Sequence, residues 1–177
     1  MRKLLMAICV VISAIAAQAA TAKWSASNIY QPGSTTDKAS GYLVYFVQSA
    51  DYSLAKAQAD IAADSLAFLS TYGVLGSTQA SGASAGTVGT TFGNGETVTG
   101  YLVILDNSSL ADATYAYVTG EASKATGASG QQATIAFGSL IATQTAGNWT
   151  AVNVPEPTSG LMLILGIAGL ALKRKRA

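Results

Sequence analysis

Histidine is absent from all 177 residues, and the only cysteine is Cys9. Arginine is absent from the whole stretch between Lys23 and Val154. Each absence removes a chemistry. Without an imidazole, a serine or cysteine nucleophile loses its usual base. Without histidine and an exported cysteine, zinc and copper lose their usual ligands. Cys9 lies inside an N-terminal apolar run, so the rest of the chain holds no disulfide. A segment of about 130 residues can bury a core without one. Without arginine there is no bidentate clamp for phosphate or carboxylate. The bases of the middle are Lys23, Lys38, Lys56 and Lys124, set against Asp37, Asp51, Asp60, Asp64, Glu96, Asp106, Asp112 and Glu121. That acidic balance excludes nucleic acid, which needs a basic footprint, and argues against binding anionic lipid through this region.

The two ends carry what the middle lacks. At the N-terminus, Arg2 and Lys3 precede a run from Leu4 to Ala17 broken only by Ser13. Two small-x-small triplets follow, Ala17-Gln18-Ala19 and Ala20-Thr21-Ala22. Charge, apolar run and small residues in that order are the anatomy of a secretory signal peptide, assigned to residues 1–22. The mature chain then starts at Ala20 or Lys23.

At the C-terminus, Pro155-Glu156-Pro157 precedes an apolar run holding Leu161, Met162, Leu163, Ile164, Leu165, Ile167, Leu170 and Leu172. Lys173, Arg174, Lys175 and Arg176 follow directly. Leu161 to Leu172 as a helix reaches roughly 18 Å, short of the roughly 30 Å hydrocarbon core. It is a marginal span, lengthened by snorkelling of the basic residues. The positive-inside rule keeps those bases in the cytoplasm. Pro155 and Pro157 disfavour helix across the junction and leave a stiff, accessible strip outside the membrane.

This order of motif, span, bases and chain end resembles the PEP-CTERM sorting signal of Gram-negative bacteria, over residues 154–177 only. The resemblance implies an exosortase-type integral-membrane peptidase as partner. It also implies an inner-membrane intermediate, then delivery to the cell surface or extracellular matrix, in the company of exopolysaccharide. The leader at the other end is its expected companion. The resemblance carries no information about the fold of the middle.

Between the ends, residues 23–154 read as one exported domain. Tyr42 to Val47 is a continuous apolar run of β-formers and predicts a buried strand. Ser53 to Tyr72 has helical spacing, with Gly73 placed as a C-cap glycine, and predicts one helix. Thr87 to Phe92 and Thr97 to Leu105 predict strands joined by a hairpin-type turn at Gly93-Asn94-Gly95. Ala113 to Val118, Gln132 to Phe137 and Trp149 to Val154 complete the strand candidates, and 123–130 reads as a loop. Gly41-Tyr42-Leu43-Val44 recurs as Gly100-Tyr101-Leu102-Val103, which either a duplication or shared strand preference would produce. The expected class is α+β and β-rich: a small antiparallel sheet or sandwich with one packed helix at about 53–72.

Candidate chemistry is sparse. Gly82-Ala83-Ser84-Ala85-Gly86 spells a nucleophile elbow. With no histidine, and no clear strand before or helix after, it reads as a loop. Asp60 and Asp64 read as one solvated helix face partly offset by Lys56. Asp106, Asn107, Ser108, Ser109 and Asp112 form an oxygen-rich loop without the full calcium-loop pattern. Glu96 and Glu121 are the only glutamates for a glycosidase pair. Tyr42, Tyr45, Tyr101, Tyr115, Tyr117, Trp24 and Trp149 could form a sugar-stacking platform if two or three share an exposed face; core packing is the plainer role. No catalytic residue, metal site or cofactor is assigned. The expectation is a non-enzymatic exported protein with a structural or adhesive middle domain. The alternatives are a carbohydrate-binding module for exopolysaccharide and, last, a small hydrolase.

Overall fold

The computed structural model describes residues 20–79, 81–127, 132–139 and 148–153. Its nine strands are β1 (Ala20–Ser27), β2 (Leu43–Gln48), β3 (Gly73–Ser77), β4 (Ser84–Phe92), β5 (Thr97–Leu105), β6 (Tyr115–Val118), β7 (Ala122–Ala125), β8 (Gln132–Ser139) and β9 (Thr150–Ala151). Two short helices, α1 (Leu54–Ala62) and α2 (Phe68–Tyr72), lie between β2 and β3. Helix accounts for 12% of the described residues, so the class is β-rich.

The strands form two sheets. The larger runs β3-β2-β5-β6-β9, with β7 also paired to β5; the smaller runs β4-β1-β8. Every pairing is antiparallel except β1 with β8, which is parallel.

The apolar runs of β2 and β5 explain the layering. Side chains alternate across a strand. Val44 and Phe46 join Leu102 and Ile104 in one core, which also holds Trp24, Val88 and Ile135 of the smaller sheet. Tyr45 and Val47 join Tyr101, Val103 and Leu105 in a second core, with Ala57, Ile61, Phe68 and Leu69 of the helices. The larger sheet is therefore buried on both faces, by a sheet on one side and by helices on the other. A strand with two buried faces reads as an unbroken apolar run.

That alternation also bears on the internal echo. Tyr42 packs against the core beneath the smaller sheet, whereas Tyr101 is buried in the core beneath the helices. Corresponding residues of the two copies point to opposite faces.

The expected single helix is two. Ser53 caps α1 by accepting from the Lys56 N–H, as a serine N-cap should. After Ala62 the chain turns through Asp64, whose φ is +58°. Nothing in the Ala-rich sequence forces that break. The Asp64 carboxylate accepts the backbone N–H of Asn153, from the far end of the domain, so a tertiary contact fixes it. Asp60 and Asp64 consequently do not share a helix face. Gly73 does not adopt the left-handed cap conformation; it is extended and opens β3. Its missing side chain matters instead for close approach, since a Cβ there would lie 2.5 Å from the Leu69 carbonyl oxygen.

Other expectations need similar correction. Gly93-Asn94-Gly95 links β4 of one sheet to β5 of the other, so it turns between layers and closes no hairpin. The stretch beginning at Ala122 holds a short strand, β7, where a loop was expected. The largest omission is β1. Its alternating residues Ala20, Ala22, Trp24 and Ala26 are all buried. Three of those four are alanine, too weak in hydrophobicity to stand out beside an apolar leader. The expected leader boundary after residue 22 falls inside this strand; a start at Ala20 keeps all of it.

Trp24 is the centre of the smaller sheet and is wholly buried. Two glycines make room for it. A Cβ at Gly86 would lie 2.6 Å from the indole Nε1, and one at Gly76 would lie 2.8 Å from Cζ2. Gly86→Ala is expected to lower unfolding stability by about 1–3 kcal/mol through overpacking, measured by urea or thermal denaturation.

Candidate functional site

The sorting residues Pro155 to Pro157, the apolar run and Lys173 to Arg176 lie outside the described residues, as does most of the leader. The structure does show how the domain delivers the chain to that tail. Asp106 is the foundation. Its carboxylate accepts from the N–H groups of Thr114 at 2.8 Å and Tyr115 at 2.9 Å, and from the Thr114 hydroxyl. Its own N–H donates to the Tyr115 carbonyl at 3.1 Å. The loop from 106 to 115 is thus closed at its base. Within it the Asn107 amide donates to the Asp112 carbonyl at 3.1 Å, and the Ser109 N–H donates to the Asn107 side chain at 3.2 Å.

Three carbonyls of this loop converge on one side chain. The Asn153 amide donates to Ala113 at 2.8 Å, Leu110 at 3.1 Å and Ala111 at 3.3 Å. Its backbone N–H donates to Asp64. Asn153 is left-handed, with φ +52°, a conformation that asparagine tolerates. Just before it, Val152 is buried and donates its N–H to the Thr114 carbonyl at 2.9 Å. The chain is therefore held tightly up to Asn153.

A groove of about 330 Å³ lies elsewhere, between the β6–β7 junction and β8. It originates in a break in the larger sheet. β6 pairs with the end of β5 and β7 with its beginning. At the gap, the Thr119 hydroxyl accepts the Leu102 N–H at 2.9 Å, while the Thr119 N–H donates to the Leu102 carbonyl at 3.0 Å. A side chain thus replaces one rung of the ladder, and Gly120 and Glu121 flare outward. The groove is lined there by Tyr117, Thr119 and Glu121, and by Phe137 and Ser139 of β8. Glu121 accepts from the Ser49 hydroxyl at 2.7 Å.

A third polar cluster sits on α1. Tyr52 donates to Asp60, and Lys56 donates to Tyr52 and lies 3.4 Å from the Asp60 carboxylate. Tyr52 also stacks on Phe68 and Tyr72. The hydrogen bond from Tyr52, reinforced by Lys56, holds the Asp60 carboxyl below its ordinary pKa. The hydrogen bond to Tyr52, with Asp60 nearby, raises that of Lys56.

The remaining candidates are placed as follows. Ser84 is buried and donates to the Ser77 carbonyl at 3.1 Å. It opens a strand, and Gly82 turns tightly against Ile29, so the Gly82–Gly86 segment has neither the geometry nor the base of an elbow. Asp106 is occupied by backbone donors, and no group of three or more metal-ligating side chains exists among the described residues. The Glu96 carboxylate accepts from the Gly93 N–H at 2.8 Å within its turn, whereas Glu121 lines the groove. Of the seven aromatics considered for a sugar platform, Trp24, Tyr45, Tyr101, Tyr117 and Trp149 are buried and Tyr42 is half-buried. Only Tyr115, 42% exposed, presents itself to solvent, so the seven form no shared exposed face. No helix among the described residues is long and apolar enough to cross a membrane.

The fold thus defines a β-rich domain that leads directly into a C-terminal segment. Residues 153–176 match the PEP-CTERM protein-sorting motif. The chain therefore carries that sorting signal, which implies export through an exosortase, a membrane protein, to the cell surface. No curated protein and no solved structure matches the chain.

The Asp60 cluster gives a pH prediction. A lowered carboxyl pKa contributes stability above the unfolded value and loses it as pH falls through the folded value. Asp60→Asn should lower the melting temperature slightly at pH 7, and the difference from the parent should vanish in acid below the carboxylate range. Paired melts across that range measure it.

Proposed function

We propose that this is a non-enzymatic exported protein, with an N-terminal leader, a structural or adhesive domain, and a tail removed by an exosortase-type peptidase on the way to the cell surface or matrix. The observation that carries the reading is the sorting motif at residues 153–176, whose first residue, Asn153, is tied into the domain. Removal of the tail after that point leaves every described element intact. The polar side chains of the domain also support a structural role, because Asp106, Thr119 and Asn153 are engaged in holding backbone. β1 favours leader cleavage after Ala19, since a cut after Ala22 would remove the buried Ala20 and Ala22 and leave Phe92 and Val88 without those strand partners.

The intact mass of the protein from the surface and matrix fraction tests this. The expected mass begins at Ala20 and lacks the segment after the proline-rich motif. A mass retaining the whole tail would replace sorting and release with simple membrane anchoring.

One observation favours a second reading. The groove beside Glu121 joins apolar ring surface from Tyr117 and Phe137 to hydroxyls and a carboxylate, the mixture that sugar-binding clefts use. If it binds matrix polysaccharide, Glu121→Ala and Phe137→Ala should each weaken retention on that polysaccharide about fivefold or more, read by affinity electrophoresis. Unchanged retention would remove this reading and leave the structural one.

A further inference from the structure

Asn153 is held by the domain and is at once the first residue of the sorting-motif match. We propose that the clamp formed by Asn153, Asp64 and the carbonyls of Leu110, Ala111 and Ala113 is a processing gate: it must open before the membrane peptidase can engage the tail. The inference rests on the sorting reading above and adds a rate-setting device to it.

The argument is one of reach. Val154 alone separates Asn153 from Pro155. Two residues of extended chain span about 7 Å, so with the clamp closed the motif starts within that distance of the folded surface. An enzyme that captures an extended peptide does so along several residues of main chain. On the N-terminal side those residues are already committed. Asn153 spends its amide on three loop carbonyls and its N–H on Asp64. Val152 is buried, and Thr150 and Ala151 are paired to β6.

The clamp is also the part of this end best suited to open. Asn153 is exposed and held by hydrogen bonds, whereas Val152 behind it is buried in the core. Local opening can therefore stop at Asn153 and leave the domain folded. When opening and closing are fast relative to cleavage, proteolysis follows the population of the open form. Each bond removed from the clamp then raises the processing rate, and the domain's own folding controls access to the signal. Asp64 and Asn153 both sit in left-handed backbone without being glycine.

The test uses the full chain, pulse-labelled in a bacterium that carries the peptidase, with tail loss timed by mass. Asn153→Gly, which keeps the left-handed backbone and removes the amide, should lose its tail about fivefold faster or more. Asp64→Ala should also be faster, whereas Asp64→Asn, which retains an acceptor, should stay near the parent rate. A flexible spacer of about six Gly and Ser residues inserted between Asn153 and Val154 leaves the clamp intact and supplies the missing reach. It should accelerate tail loss to a similar extent, and adding Asn153→Gly to the spacer chain should give no further gain. Equal rates for the parent and spacer chains would overturn the gate, as would slower processing of Asn153→Gly. If no chain, spacer included, loses its tail, the sorting reading has failed and the gate falls with it.

Discussion

β2 and β5 lie side by side with no polar face between them, and the architecture follows from the need to cover them twice. Burying one face of an apolar strand pair leaves the other as an exposed patch that water disfavours. The smaller sheet covers Val44, Phe46, Leu102 and Ile104, and the helical segment covers Tyr45, Val47, Tyr101 and Val103. Each covering layer has small residues where it must come close. Gly76 and Gly86 admit Trp24 to the sheet-to-sheet core, and Ala57 allows α1 to approach the other face. The abundance of alanine and glycine that makes the sequence look loosely determined is, at these positions, what allows three layers to close on one another.

Polar side chains in this domain mostly act as substitutes for backbone. Thr119 supplies a missing rung where β6 gives way to β7. Asp106 closes the base of a loop, and Asn153 ties three carbonyls of that loop to the end of the chain. Thr126 donates to the Gly93 carbonyl and so ties the β4–β5 turn to the end of β7. Buried or half-buried backbone groups need partners, and a chain with short, irregular strands has many that the ladders do not reach. Among the charged residues, Asp64, Glu96 and Asp106 each accept from backbone N–H groups in this way. Glu121 is a carboxylate that opens onto a groove, and there a hydroxyl from Ser49 already holds one of its oxygens.

The same device links the domain to its route. The loop held by Asp106, the break in the helical segment at Asp64 and the exit of the chain at Asn153 meet at one place, although they are far apart in sequence.

How much of this was legible follows from the physics of each signal. The sorting signal was readable, because a short motif, an apolar run, a basic cluster and their order are one-dimensional properties. The strands at 43–48 and 97–105 were readable because continuous runs of β-formers have few other uses. β1 was hidden by its alanines, and β3 and β7 by short length and small residues, since their strand character comes from neighbours and hardly from propensity. The break at Asp64 could not be read, because the residue that fixes it lies at the opposite end of the domain. The groove was equally invisible: it exists only because β6 and β7 share one side of β5 and β8 crosses nearby. Sequence by itself determined the destination and the doubly apolar centre. Tertiary structure alone decided which polar groups were spent on backbone, where the sheets split and how the chain is held at Asn153, because each of those depends on contacts between residues that no local pattern brings together.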